Sequence, residues 1–360
     1  MKARALWHVA PGRAELREEV LRPPGPGEVL VRTLYSGLSR GTERLVHHGR
    51  VPESQWQAMR GPGQAGDFSF PVKYGYCAVG VVEAGAQEWI GHRVFCLHPH
   101  QDLFVAPVSL CATLPASVPD RRAVLVGNME TAVNVMWDAR PLVGERVLVV
   151  GAGVVGLLSA HLAARVPGTA VQVCDIDPRK RDAARALGLD FALATEALDD
   201  CDLVIHASAT PEGLWLALDR CGFEGRVVEA SWYGGRRVEL PLGEAFHSRR
   251  LSIISSQVGH VAPAMRARWN SAGRMSIATF LLEEGRLDAL LGPEVPFEAL
   301  PGEIGGLLEG SGLCPVVNYM AAWPNKFVSD GSDIVWHGHM TILPGPAPGT
   351  ARQDSDDDAV

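Results

Sequence analysis

Short apolar runs alternate with amphipathic stretches through the middle of the chain. The apolar runs are RVLVVGA, AVQVCDID, CDLVIHAS and GRVVEASWY, and the stretches between them, VGLLSAHLAAR, RKRDAARALG and EGLWLALDRC, have helical spacing. Runs of β-branched residues that alternate with helices are typical of βαβ units with a parallel sheet. Right-handed crossovers then place helices on both faces of that sheet. The pattern predicts a doubly wound parallel sheet, and therefore an α/β protein.

The segments on either side of this region have a different texture. Residues 1–125 contain short strand candidates broken by Pro and Gly, including GEVLVRTLYSG, VGVVEAGA, HRVFCL and DLFVAPVSL, which indicate an all-β barrel or sandwich. Residues 258–319 contain a helical stretch, MSIATFLLEEGRLDALL, and a short strand, PVVNYM. Residues 320–360, with LPGPAPGT and a DSDDDAV terminus, are expected to form a partly disordered extension.

Composition narrows the class of protein. At 360 residues the chain is long enough for two domains, and its net charge of -8 argues against a nucleic-acid binder. Seven cysteines without a C-x-x-C pair suit reduced thiols in the cytoplasm. The amino terminus is too charged for a signal peptide, and the sequence favours no membrane span. We therefore expect a soluble cytoplasmic protein.

The segment VLVVGAGVVG carries the strongest local signal. Gly151, Gly153 and Gly156 have the spacing G-x-G-x-x-G, with a strand before them and an amphipathic helix after them. In dinucleotide-binding proteins the first glycine allows the tight turn, the second lets the backbone approach a pyrophosphate, and the third allows close packing of helix on strand. Val154 and Val155 begin the helix, whose amino-terminal N–H groups would meet the phosphates.

An acidic residue stands where a ribose would be bound. Asp175 follows Gly156 by nineteen residues, at the end of the strand AVQVCD. A carboxylate there accepts hydrogen bonds from a ribose diol and repels a 2′-phosphate, so NAD(H) is favoured over NADP(H). The basic run that begins at Arg179 weakens the preference, and NADP(H) stays possible. The alternative is a structural βαβ turn that binds no dinucleotide.

Five further segments resemble one known superfamily. They are SGLSRGTE, YGYCAVGVV, RVFCLHPH, WYGG and FHSRRLSIISSQVG. Together with the glycine turn they resemble the medium-chain dehydrogenase/reductases, and within them the branch of bacteriochlorophyllide dehydrogenase-like and alcohol dehydrogenase-like proteins. The resemblance covers roughly residues 1–319.

This resemblance implies a domain organisation and an activity. It implies a GroES-like β-barrel catalytic domain over 1–125, a Rossmann domain over 126–257, and a return to the catalytic domain over 258–319. It also implies an NAD(P)-dependent oxidoreductase with a small-molecule substrate. A homodimer is implied through the last Rossmann strand, around SIISSQV.

The zinc ligands of the superfamily are replaced in this sequence. Ser36 stands where the cysteine ligand is expected, Tyr76 replaces the histidine of a G-H-E segment, and the third ligand position falls near Gly127. A hydroxyl, a phenol and a glycine do not hold zinc as thiolate, imidazole and carboxylate do. We therefore expect neither catalytic nor structural zinc. The alternative is a rearranged metal site that uses Cys77, Glu130 or His98.

Without a metal, other groups must stabilise the charge that grows on a substrate oxygen. Tyr76 is the first catalytic candidate, because it occupies a former ligand position. Ser36 and Thr42 could relay a proton, and His98 or His100 could serve as general acid or base. Each has a simpler interpretation: the tyrosine is a core residue, the serine caps a turn, and the histidines make loop hydrogen bonds.

Two further sets of residues complete the expectations. Glu43 is expected to form an ion pair with Arg40 or Arg44. By resemblance, the remaining cofactor contacts come from the helix beside the nicotinamide and from the carboxyl ends of the sheet strands. They are Thr131, Ala207, Ser208, Ser231, Trp232 and Ser256.

The function expected from the sequence is zinc-independent hydride transfer between a nicotinamide and an alcohol or carbonyl substrate, such as a specialised metabolite. The first alternative is reduction of a conjugated C=C bond in an enone or quinone, because zinc-free relatives include such reductases. The second alternative is a dinucleotide-binding protein without catalysis.

Overall fold

The computed structural model describes residues 1–322, so most of the predicted extension over 320–360 lies outside the described residues. The strands are β1 Lys2–Ala10, β2 Arg13–Val20, β3 Glu28–Gly37, β4 Ala65–Gly66, β5 Val72–Lys73, β6 Ala78–Gly85, β7 Arg93–Cys96, β8 Leu103–Pro107, β9 Cys111–Thr113, β10 Arg146–Val150, β11 Ala170–Asp175, β12 Asp190–Leu193, β13 Cys201–His206, β14 Cys221–Glu229, β15 Ser252–Ser255, β16 Leu291–Pro296 and β17 Cys314–Asn318. The α-helices are α1 Arg40–His47, α2 Asp120–Ala123, α3 Val126–Ala139, α4 Val154–Ala163, α5 Arg181–Ala186, α6 Pro211–Arg220, α7 Ala245–Ser248, α8 Ser271–Leu281 and α9 Leu300–Glu309. Short 3₁₀ helices cover Glu53–Gln55, Gln87–Trp89, Val108–Leu110, Pro178–Lys180, Ala194–Glu196, Gly285–Leu290, Phe297–Ala299 and Met320–Ala322.

Six of these strands form the parallel sheet that the apolar runs predict. Their order is β12-β11-β10-β13-β14-β15, and every neighbouring pair is parallel. In chain order this is 3-2-1-4-5-6, the arrangement of a dinucleotide-binding fold. The apolar residues of β10, Val147 to Val150, are buried because helices cover both faces of the sheet. The α/β prediction is confirmed.

The remaining strands form two antiparallel-rich sheets. Within residues 1–322, one sheet has the order β16-β17-β3-β6-β7-β9, with β8 also paired to β3, and the other has the order β2-β1-β5-β4. Strand β3 is the central element, because Ser36 near its end lies opposite both Ala78 of β6 and Val317 of β17. Residues from the two ends of the chain therefore meet at the carboxyl end of β3.

Helix α3 joins the β-rich region to the parallel sheet. It packs on α4 and α8, and the same core contains Cys77 and Phe95 together with Val149 and Leu157. The described residues, 1–322, belong to one compact unit, so the domain boundaries at 125 and 257 stay predictions. In the described part of the chain, every helix is too short or too polar to cross a bilayer.

Candidate functional site

The turn between β10 and α4 has the geometry that its glycines predict. Gly151 has a φ of 107°, and a Cβ there would lie 2.8 Å from the backbone nitrogen of Ser208. A Cβ on Gly156 would lie 1.9 Å from the carbonyl oxygen of Gly151. A Cβ on Gly153, in contrast, would meet no atom within 4 Å. Two of the glycines are thus required for packing, and the third faces open space.

Helix α4 begins beside that open space without a capping side chain. Gly153 is its N-cap residue, and Val154 and Val155 begin its first turn. Within the described residues, the backbone N–H groups of this turn donate to no capping side chain. The amino-terminal N–H groups of a helix have no partner within the helix and attract anions. The turn therefore leaves donors free where a phosphate could approach.

Asp175 is held by the backbone around this turn. Its Oδ2 accepts a hydrogen bond from the N–H of Ala152 at 2.7 Å, and its Oδ1 accepts one from the N–H of Asp177 at 2.9 Å. The side chain of Arg179 donates to both carboxylate oxygens of Asp177, and this bonding lowers the pKa of Asp177. The acid is fixed next to the glycines, while the arginine is already paired.

A second polar group lies at the carboxyl ends of β13 and β14. The buried His206 bonds Glu229 through Nδ1 at 2.7 Å and the hydroxyl of Ser208 through Nε2 at 2.7 Å. Ser231 bonds the backbone N–H of Ala209 at 3.0 Å, beside the strand end. The structure brings Ser208 and Ser231 together at this edge of the sheet, with Ala207 touching the glycine turn.

The other expected cofactor contacts lie nearby but have different environments. The hydroxyl of Thr131, within α3, donates to the carbonyl oxygen of Gly127 at 3.0 Å. The hydroxyl of Ser256 donates to Asp138 Oδ2 at 2.7 Å. Trp232 and Tyr76 both pack against one hydrophobic cluster, called here the aromatic cluster. Its buried residues are Leu45, Val46, Val51, Phe68, Val72 and Tyr74. The hydroxyls of Thr131 and Ser256 each have a partner within the protein.

Tyr76 lies beside Ser39 rather than beside Ser36. Ser39 lies close enough to the phenol to contribute to its electrostatics, and Ser39 Oγ accepts a hydrogen bond from Asn128 Nδ2 at 3.3 Å. Burial raises the pKa of Tyr76 well above its ordinary value, with smaller contributions from nearby acidic groups. The phenol therefore stays protonated and can donate a hydrogen bond.

Ser36 belongs to a separate buried network. Its hydroxyl lies 2.7 Å from His100 Nδ1 and 2.9 Å from the hydroxyl of Tyr319. His100 Nε2 lies 2.9 Å from Glu43 Oε2, and Glu43 Oε1 accepts the backbone N–H of Ser39 at 2.7 Å. The expectation that Glu43 pairs with an arginine is wrong, because its carboxylate is fully buried against His100. In the described part of the chain, the hydrogen bond from Ser39 to Glu43 brings this network next to Tyr76.

The comparisons with known sequences give partial matches. No family model matches the chain. An L-threonine 3-dehydrogenase from Sinorhizobium fredii is 34% identical over 110 residues, which are 31% of each chain, so the match spans about a third of the length of such relatives. The 2-desacetyl-2-hydroxyethyl bacteriochlorophyllide A dehydrogenase of Cereibacter sphaeroides is 27% identical over 252 residues, which cover 65% of this chain and 75% of the relative.

Solved structures match over nearly the whole described chain. A proposed zinc-binding dehydrogenase from Sinorhizobium meliloti, bound to NADP, has a TM-score of 0.72 at 17% identity and covers 89% of this chain and all of its own. An alcohol dehydrogenase from Escherichia coli, in complex with NADH, has a TM-score of 0.71 at 17% identity and covers 88% of this chain and 99% of its own. The chain has the fold of the medium-chain dehydrogenase/reductases. The resemblance found in the sequence, with a GroES-like and a Rossmann part, is confirmed.

The residues expected near the metal-ligand positions of that superfamily are closely packed or already paired. A Cβ on Gly127 would come 3.1 Å from Cys77 Sγ and 3.4 Å from Tyr76 Cδ2. Burial raises the pKa of the Cys77 thiol well above its ordinary value. Glu130, another candidate of the rearranged site, forms a buried ion pair with Arg274 at 3.0 Å. Within residues 1–322, no three His, Cys, Asp or Glu side chains are grouped as metal ligands.

His98 lies in the interior of the described chain. Its ring is buried, stacks on Phe104 with centroids 3.8 Å apart, and places Nδ1 3.1 Å from the carbonyl oxygen of Pro99. Burial, with a smaller contribution from Lys73, lowers the pKa of His98 to about 3. These contacts fit the simpler interpretation of a histidine beside a loop carbonyl, and a role as general acid or base stays a prediction.

The remaining candidate and the missed residues lie on or near α1. Thr42 is in the first turn of α1, partly exposed, and its hydroxyl makes no hydrogen bond to another residue of the described chain. Ser39, Asn128 and Tyr319 were not expected from the sequence. Ser39 stands directly before α1, and because serine is a common N-cap residue, that position is the signal that could have drawn attention to it.

Proposed function

We propose that the chain is a nicotinamide-dependent oxidoreductase that interconverts an alcohol and a carbonyl group on a small organic molecule, and that it does so without zinc. Its dinucleotide is proposed to be NAD(H) in preference to NADP(H). A specialised metabolite would be one suitable substrate.

The turn at Gly153 carries the proposal. The open space above this glycine and the uncapped amino terminus of α4 fit a pyrophosphate, whereas Gly151 and Gly156 are closed by backbone contacts. A bound nicotinamide would supply or accept the hydride. The chain's own contribution is to hold the dinucleotide at the carboxyl edge of the parallel sheet, with Ala207 and Ser208 beside the turn.

The charges around the turn favour NAD(H). Asp175 keeps a carboxylate next to the turn, and such a charge repels a 2′-phosphate. Arg179, the nearest candidate for binding that phosphate, is paired with Asp177 through two side-chain hydrogen bonds. The preference is therefore proposed to depend on Asp177 as well as on Asp175.

The proposal that no zinc takes part depends on the donor set. Tyr76, Ser39 and Gly127 lie together, and they offer a phenol, an alcohol and no side chain, which are poor substitutes for the ligands of zinc. Cys77 adds one thiol beside Gly127, and burial, which raises its pKa well above the ordinary value, disfavours the thiolate that zinc binds. Because burial keeps Tyr76 protonated, its hydroxyl can donate a hydrogen bond to the oxygen on which charge develops.

The buried network is proposed to hold this donor in place. When His100 is in the neutral tautomer whose Nε2–H donates a hydrogen bond to Glu43, its Nδ1 accepts a hydrogen bond from the Ser36 hydroxyl. Glu43 then fixes the backbone of Ser39, whose side chain lies beside Tyr76. Ser36, His100 and Glu43 act here as positioning residues, and Thr42 stays a candidate for proton relay.

Three measurements on the purified protein test the proposal. NADH and NADPH are titrated by fluorescence, a panel of secondary alcohols, polyols, ketones and enones is assayed with both dinucleotides, and metal content is measured before and after chelation. We expect tighter NADH binding, oxidation of an alcohol, and activity that survives chelation. Saturation of an enone with its carbonyl intact, or one tightly held zinc per chain, would contradict the proposal. NADH binding without any turnover would instead favour a binding protein.

We also propose a homodimer that forms through β15. This strand is the outer member of the parallel sheet in the described chain, and Ile253 within it is exposed. An edge strand offers unpaired backbone groups to a second copy. Size-exclusion chromatography with light scattering measures the mass, and a monomer at micromolar concentration would exclude this interface.

A further inference from the structure

A cavity of about 440 Å³ lies between α1 and the loop that follows β14. Its lining does not include the glycine turn and is dominated by arginine. The lining residues are Arg44, Leu45, Arg50, Tyr233, Gly235 and Arg236.

The cavity has more positive than negative charge around it. Glu309 lies 3.9 Å from Arg44 and 2.9 Å from His48 Nε2. Desolvation would raise the pKa of Glu309, but the hydrogen bond with His48 and the nearby charges of Arg44 and Arg50 lower it. Arg50 makes no side-chain hydrogen bond or ion pair with any other residue of the described chain. Arg236 uses Nη2 to donate to the carbonyl oxygen of Ala209 at 2.8 Å. The three guanidinium groups of the lining thus outnumber the two carboxylates that contact lining residues, Glu309 beside Arg44 and Glu229 beside Tyr233, in a protein whose net charge is -8.

The walls of the cavity are held by direct contacts. The loop approaches the segment after α1 so closely that a Cβ on Gly234 would lie 2.7 Å from the carbonyl oxygen of Arg50, and Gly234 has a φ of 64°. Tyr233 donates its hydroxyl to Glu229 Oε2 at 3.0 Å. These contacts fix Arg50 and Arg236 on opposite elements of one cavity, which is the arrangement that an oxyanion between them requires.

The cavity adjoins the aromatic cluster around Tyr76. Leu45, which lines the cavity, belongs to the cluster that also contains Tyr76, Trp56 and Trp232. An apolar molecular body packed on this cluster could therefore extend a charged group towards the arginines. Guanidinium groups bind carboxylate and phosphate through paired hydrogen bonds, and they remain charged at all physiological pH values.

We propose that this cavity binds an anionic group, a carboxylate or a phosphate monoester, on the substrate. The inference rests on the proposed function, because it places the anion on the molecule whose alcohol or carbonyl group meets Tyr76. It selects an acidic substrate over its neutral analogues.

The test measures direct binding, so it does not depend on finding the substrate. Phenyl phosphate and benzoate are titrated by calorimetry at low ionic strength, with benzamide as the neutral probe, in the presence and absence of saturating NADH. The variants are Arg50→Met and Arg236→Met. Arg237→Met is the matched control, because Arg237 is the adjacent exposed arginine outside the lining. Thermal unfolding checks that each variant is folded.

We expect at least one of the two anions to bind, benzamide not to bind, and binding to weaken about tenfold or more in each cavity variant, since a charge-assisted hydrogen bond is lost. The anion that binds shows whether the group is a phosphate or a carboxylate. Unchanged binding in Arg50→Met and Arg236→Met, an equal loss in Arg237→Met, or displacement by NADH would overturn the inference. The NADH titration separates the two claims: a protein that binds the anion but not NADH refutes the proposed function, and one that binds NADH but neither anion refutes only this inference.

Discussion

The ring of Tyr76 lies against the bare backbone of Gly127. A Cβ at position 127 would come 3.4 Å from Tyr76 Cδ2, and on its other side 3.1 Å from Cys77 Sγ. The distance to the thiol is tighter than ordinary van der Waals contact and the distance to the ring is at its lower limit, so a side chain larger than methyl at 127 would have to displace the thiol or the tyrosine. The orientation of the Tyr76 ring therefore depends on a glycine at position 127.

Replacing Tyr76 by Phe removes the proposed donor while keeping its ring. We expect the turnover number to fall about 10²- to 10³-fold, the usual loss for one donor to a developing oxyanion, with the NADH dissociation constant unchanged. Steady-state kinetics on the best substrate of the panel and NADH titration measure the two quantities. The control is Tyr74→Phe, since Tyr74 is a buried tyrosine packed edge-on to Tyr76 at 6.2 Å. Equal losses in both variants would indicate a packing effect.

The glycine turn allows binding to be separated from folding. Gly153→Ser adds a side chain in open space and keeps a good N-cap residue, so we expect normal thermal stability. We expect NADH binding to weaken at least about tenfold, because the hydroxyl would occupy the position of the pyrophosphate. Gly156→Ala puts a methyl group 1.9 Å from the carbonyl oxygen of Gly151, so it should destabilise the protein by about 1–3 kcal/mol. NADH binding by Gly153→Ser equal to that of the parent would contradict the assignment of this turn.

Sequence reasoning predicted local structure well where it depends on short segments. Gly151, Gly153 and Gly156 lie in a strand, a turn and a helix that are contiguous in the chain, so spacing alone locates the turn. The βαβ pattern also predicts the parallel sheet, since the handedness of crossovers excludes most other arrangements. The position of Asp175 at a strand end was predicted for the same reason, although its hydrogen bonds to Ala152 and Asp177 were not.

It failed where the site depends on distant contacts. Ser36 and Ser39 are three residues apart, and which of them meets Tyr76 depends on β3 ending at Gly37 and α1 beginning at Arg40. The partner of Ser36, Tyr319, comes from the far end of the described chain. No local pattern predicts such pairs, because they are set by how β17 packs beside β3.

Cofactor preference should respond to the acid that holds Arg179. Asp177→Asn keeps an oxygen for the turn but removes the charge that pairs with the guanidinium, so Arg179 becomes free to bind a 2′-phosphate. We expect NADPH to bind about ten times more tightly, with little change for NADH. The control Asp182→Asn removes an exposed acid from the next turn of the chain. Tighter NADPH binding in the control as well would show that general electrostatics, and not Arg179, decides the preference.

Because two histidines are buried, we expect the free energy of unfolding to fall in acid. Burial lowers the pKa values of His8 and His98 to about 3, while in the unfolded chain a histidine titrates near about 6.5. The unfolded state therefore binds more protons between these values, and the free energy of unfolding falls as the pH falls through this window.

Between about pH 7.5 and about pH 5.5 each such histidine should remove about 1.4 kcal/mol of stability. His98→Phe retains a ring to stack on Phe104 and cannot titrate, so its free energy of unfolding should fall by that much less than the parent's over the same interval. Urea unfolding at the two pH values gives the comparison. His92→Gln, at an exposed position, is the control. If the free energy of unfolding falls equally in His98→Phe and in the parent, His98 already titrates in the folded protein over this pH interval. That result would support a role as general acid or base.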